Sequence, residues 1–140
     1  MITTDHISKC DITQNGLVFV HDDIADDAPT LNIGHTLAEE LSKIDLNISC
    51  LPMMAEEILC KVLDRAISES GESRVVIVSN INILFEKRLA LDVASILRRY
   101  SRNCLVVIRT DGEIKENSFF PFGIGNGINI KLDNIPISEI

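Results

Sequence analysis

Residues 74–110 read RVVIVSNINILFEKRLALDVASILRRYSRNCLVVIRT. Val75-Val76-Ile77-Val78 is apolar and β-branched throughout, and Cys104-Leu105-Val106-Val107-Ile108 is a second continuous apolar run. Strands without polar alternation belong in a parallel sheet buried on both faces. Between them Leu89, Val93, Ile96, Leu97 and Tyr100 recur at helical spacing, with Arg98 and Arg99 outward, which predicts a helix over 88–100. Strand, helix and strand within about 35 residues is the size of one βαβ unit, whose crossover is right-handed.

Working outward, Leu17-Val18-Phe19-Val20 follows Asn15-Gly16 and reads as a buried strand entered through a turn. A short strand is expected at 30–33 and a helix at 35–44, with Leu37, Leu41 and Ile44 on one face. Pro52 stands where a first helical turn begins, since its missing N–H costs nothing there. Ala55, Ile58, Leu59, Val62, Leu63, Ala66 and Ile67 then give the clearest helical period in the chain, and Gly71 is placed to stop it. The expected fold is one α/β domain over 1–140, a three-layer, mostly parallel sheet flanked by helices. Residues 1–15 read as a flexible N-terminal segment. Residues 111–140 read as a C-terminal β extension, a hairpin or an edge extension able to widen the sheet, with apolar segments at 118–122 and 128–132.

The 140 residues carry 21 acidic and 13 basic side chains, a formal charge of −8. No apolar run approaches the roughly 18 residues of a membrane span, and the start MITTDHISKC has no secretory character, so a cytoplasmic protein is expected. There is no Trp, one Tyr and 21 Ile, a composition suited to strands packed on helices and poor in stacking platforms for bases. Cys10, Cys50, Cys60 and Cys104 form no C-x-x-C pair and read as reduced thiols, with no structural zinc site.

Charge is segregated. Residues 1–30 hold six acids against Lys9, while 87–109 hold six bases against Asp92. Most such runs are solvated faces; the sharper expectation is a docking surface for other protein subunits around Arg98, Arg99 and Arg102. The net charge argues against nucleic-acid binding by the chain on its own.

Ligands of open parallel sheets sit beyond the carboxyl ends of strands. The residues expected there are His21-Asp22-Asp23, Ser79-Asn80 and Arg109-Thr110-Asp111. A nucleotide-hydrolysing site needs G-x-x-x-x-G-K-[ST] after the first strand and a magnesium-binding carboxylate ending a later one. Here the first strand leads into HDDIADDAPT, whose four carboxylates repel a triphosphate, and the later strand ends in Ser79-Asn80. No catalytic or cofactor-binding residue is assigned and no cofactor is expected. Asp22 and Asp23 are weak candidates for a divalent metal, with an unliganded acidic loop the simpler reading. Gly123-x-Gly125-x-Gly127 lacks the following helix of a dinucleotide turn, and His6, His21 and His35 have no evident nucleophile partner.

The run Asn80–Phe85, Leu89–Arg99, Ser101–Asn103 and Cys104–Gly112, with Thr30–Gly34 ahead of an amphipathic helix, resembles the BrxF family. These are the P-loop proteins of type 3 BREX (bacteriophage exclusion) defence systems. The likeness covers about two thirds of the chain. It implies a P-loop-like fold and a place in an anti-phage assembly. The family's Walker A loop and the helix after it would fall between Val20 and Pro29, where this chain has only eight residues; three helical turns alone need about 11. The family's Walker B Asp corresponds to Ser79. The resemblance is therefore to a degenerate form, and it implies a non-catalytic accessory or adaptor protein, not an enzyme, acting by protein–protein interaction. The alternative is a degenerate receiver-like signalling domain or a metal-binding domain using Asp22 and Asp23. Thr110 and Lys131 would complete the receiver pattern, and a phospho-acceptor Asp would be missing.

Overall fold

The two apolar runs of the quoted stretch form neighbouring parallel strands, as their composition requires. In the computed structural model the described residues are 16–21, 30–44, 49–71, 74–125, 127–132, 135 and 137–139. They form β1 (Gly16–His21), β2 (Leu31–Asn32), α1 (Ile33–Leu41), α2 (Leu51–Glu69) and β3 (Val75–Ser79). Two 3-10 turns follow, Ile81–Phe85 and Lys87–Leu89, then α3 (Val93–Ser101) and β4 (Leu105–Thr110). The chain continues through β5 (Glu113–Lys115), β6 (Ser118–Phe120), β7 (Ile130–Lys131) and β8 (Ile137–Glu139).

The main sheet has the order β2-β3-β4-β1-β8 and every pairing in it is parallel. Gly16 stands opposite Leu105 and His21 opposite Thr110, while Val75 also stands opposite Leu105. Strand alternation sends Leu17, Phe19, Val76, Val78, Val106 and Ile108 to one face, where they pack with all three helices. Val18, Val20, Ile77, Leu105 and Val107 point to the other face and are buried there too. No helix among the described residues contributes to that second cluster. Burial on both faces is the reason these strands carry no polar alternation. No helix among the described residues is long and apolar enough to cross a membrane.

Helix α2 begins at Leu51 with Pro52 in its first turn, and Gly71, at φ +69°, follows its end. α1 is shifted from the expected 35–44 because Asn32 accepts the His35 amide at 2.9 Å, a side-chain cap that starts the helix at Ile33. α3 is shorter than the expected 88–100. Asn80 and Ala90 both adopt left-handed conformations, at φ 56° and 46°, and the residues between them make the 3-10 turns. The helix starts only where Asp92 accepts the Ser95 amide at 3.1 Å.

The C-terminal residues supply both a hairpin and an edge strand. β5, β6 and β7 form a separate three-stranded antiparallel sheet and do not widen the parallel one. Glu116 and Asn117 make a two-residue turn with φ of 53° and 62°, the doubly left-handed geometry that closes a tight hairpin. Phe119 anchors this sheet in the main core, 4.9 Å from the Phe19 ring and 6.3 Å from that of Phe85. The strand that does extend the parallel sheet is β8, beside β1. The 1–15 segment lies outside the described residues.

Candidate functional site

Two edges of the sheet carry polar groups. At the carboxyl edge, β1 ends in His21 beside Thr110 of β4, and Ser79 of β3 pairs with Asn32 of β2. The clusters expected after these strands therefore share one edge, except that Asp22 and Asp23 lie outside the described residues. Among the described residues no group of three or more His, Cys, Asp or Glu is placed to hold a metal.

This edge is closed by a joint between β2, α1 and β3. Asn80, just past β3, donates from its side-chain amide to Asn32 Oδ1 at 3.1 Å, and the same oxygen caps α1. Gly34 lets the two segments touch: a Cβ there would stand 2.5 Å from the Asn80 carbonyl oxygen and 2.6 Å from its Cγ. On the other side of β4, a cleft of about 450 Å³ is lined by Phe19, His21, Thr110, Gly112, Glu113 and Ile114. Thr110 is buried, and its hydroxyl accepts the Gly112 amide at 3.0 Å. That bond ties the threonine to its own turn.

The amino edge is richer. A cleft of about 790 Å³ lies there between α2, α3 and the residues that lead into β3 and β4. Cys60 and Asp64 are one helical turn apart on α2, and Tyr100 reaches both. Its hydroxyl lies 2.8 Å from Asp64 Oδ1 and 3.1 Å from the Cys60 carbonyl oxygen. Burial, followed by the hydrogen bonds to Asp64 and Cys60, pushes the phenol far above its ordinary range. Arg99 lies 5.5 Å from the centroid of the Tyr100 ring and donates from Nη2 to Cys60 Sγ at 2.7 Å. Arg74, at φ 48°, donates from Nε to the Asn103 carbonyl at 2.7 Å. Cys104 lines the floor. Burial pushes its thiol up, the Arg74 guanidinium opposes this, and the Asp64 charge adds to it.

Of the three arginines expected to form a docking face, only Arg99 lines this cleft. Arg98 is half-buried beside it on α3, and Arg102 is exposed just after the helix. Arg74 and Asp64 were not among the expected site residues, and Cys60 was expected only as a reduced thiol. The only signal was the Cys60–Asp64 spacing of four, which places two polar groups on one side of a helix. Arg74 carried none, because its place follows from the pairing of β3 with β4. Compared with protein-family models, curated proteins and solved structures, the chain matches none.

Proposed function

We propose that the chain is a non-catalytic adaptor on a degenerate P-loop-like fold. It acts in the cytoplasm through contacts with other protein subunits, as an accessory component of a BREX-type anti-phage defence system. The observation that carries this reading is the strand order, with β4 standing between β1 and β3. An all-parallel sheet with its first strand in the interior is compatible with the P-loop-like fold that the sequence resemblance implies. A flavodoxin-like receiver has the order 2-1-3-4-5, which sets the first strand against the second and third. Here β1 adjoins β4 and β8 instead, which weighs against the receiver alternative.

The strand ends support a form without nucleotide chemistry. β3 ends in Ser79, a hydroxyl in place of a carboxylate, and Asn80 is held in the joint with Asn32 and Gly34. Only eight residues separate Val20 from Pro29, where the family's phosphate loop and helix would stand. The defence assignment rests on the sequence resemblance.

The test is affinity purification of the tagged full chain from its native host, with co-purifying proteins identified by mass spectrometry. Subunits encoded beside this gene in a defence cluster should be recovered in stoichiometric amounts. The double variant Arg98→Glu/Arg99→Glu, with unchanged folding by circular dichroism, should lose them. A chain that purifies alone, or a variant that retains every partner, overturns the adaptor reading.

A further inference from the structure

The cleft at the amino edge holds two arginines against one aspartate. Arg74 and Arg99 both line it, and among the described residues neither forms an ion pair within 4.0 Å; the close pairs there join His35 to Glu39 and Lys43 to Glu40. Each guanidinium has five N–H donors. Nε of Arg74 is used by Asn103, and Nη2 of Arg99 donates to Cys60. These two bonds hold the forks in place while leaving most of each donor set unused among the described residues. Arg74 is further constrained by a left-handed backbone, a conformation uncommon for a residue with a Cβ and frequent where geometry serves a site. Two guanidiniums, each held by one hydrogen bond and facing a single carboxylate across one cleft, stand out in a chain of net charge −8.

We propose that this cleft is the docking point for an acidic segment of a partner protein, with Arg74 and Arg99 clamping one carboxylate. This rests on the adaptor reading and names its contact. Three observations select the occupant. Small-molecule sites are mostly enclosed and apolar, whereas this cleft is open and lined by Asp64, Tyr100, Arg74, Arg99 and Asn103. The lining charge is two arginines against one aspartate, a net +1, which matches a single carboxylate better than a phosphate dianion. Asp64 and the negative total disfavour a nucleic-acid backbone, whose affinity grows with the number of phosphates neutralised. Arg forks recognise carboxylates in paired, planar hydrogen bonds.

The experiment titrates a tetraglutamate peptide, acetylated and amidated at its ends, into the ¹⁵N-labelled full chain. It follows backbone amides together with arginine side-chain signals, with the matching tetraglutamine peptide as control. Saturable shifts are expected at Arg74, Arg99 and residues 100–104, with none from the tetraglutamine peptide. Arg99→Gln and Arg74→Asn, the latter chosen because asparagine tolerates the left-handed backbone, should each weaken binding by about tenfold. Their remaining amide signals should stay in place, which reports an intact fold. Shifts confined to Arg98 and Arg102, with the cleft silent, overturn the cleft while leaving the adaptor reading standing. Shifts nowhere, or affinity unchanged in both variants, also overturn the cleft, and the adaptor reading is then decided by the partner purification.

Discussion

Replacing Gly34 with alanine tests whether the carboxyl edge is a packed joint. The added Cβ would stand 2.5 Å from the Asn80 carbonyl oxygen, about 1 Å inside ordinary contact, and that oxygen belongs to the backbone. Overpacking of this kind costs about 1–3 kcal/mol. Gly34 lies within α1 at negative φ, so alanine also gains up to about 1 kcal/mol of helix propensity. The clash prevails, leaving a net loss of about 1–2 kcal/mol, or roughly 3–8 °C in Tm for a domain of this size. Circular dichroism melts of the wild type and Gly34→Ala measure it. The partner variant Asn80→Gly keeps the left-handed backbone and removes the Cγ and Nδ2 that meet the new methyl, but not the carbonyl oxygen. The double variant should therefore be more stable than the sum of the singles by about 1 kcal/mol. A Gly34→Ala protein as stable as wild type, or strict additivity in the double variant, would refute the joint.

Asp92→Ala removes the cap that starts α3 and should cost about 1 kcal/mol in urea unfolding, with the m-value unchanged. Tyr100 is the only tyrosine, so absorbance at 295 nm reads it alone: the folded chain should show no phenolate rise near pH 10, and the rise should appear on unfolding in urea. The sign for stability follows, because above pH 10 the unfolded chain loses the phenol proton while the folded chain keeps it. Stability should then fall as pH rises from about 10, and Tyr100→Phe should remove that part of the slope. Cys104 is buried with its thiol pushed up, whereas Cys50 is exposed; a thiol reagent at pH 8 should modify Cys50 in the folded chain and reach Cys104 only on unfolding.

The parallel strands were legible because burial on both faces leaves a signature no other element shares: Val75–Val78 and Leu105–Ile108 have no polar residue. α2 was legible for the opposite reason, a one-sided apolar period over 19 residues. The 3-10 segment was not, since Leu89 and Val93 keep a spacing of four that a helix would also produce and Ala90 gives no sign of its left-handed backbone. β8 was hidden in Ile137–Glu139, too short for any period. At the carboxyl edge, Asn80 was visible as a strand terminator, but its bond to Asn32 spans 48 residues. The amino-edge cleft was the least legible part. Arg74 meets Asn103 only because β3 pairs with β4, and Asp64 meets Tyr100 only because α2 packs on α3.

The proposed reading, a P-loop-like sheet that holds no nucleotide, is tested most directly by thermal unfolding of the full chain with and without millimolar ATP and Mg²⁺. No change in Tm is expected. A ligand present at 100 times its Kd stabilises a protein by about 2.7 kcal/mol, which at this size is a rise of roughly 8 °C. A rise of that order would contradict the claim.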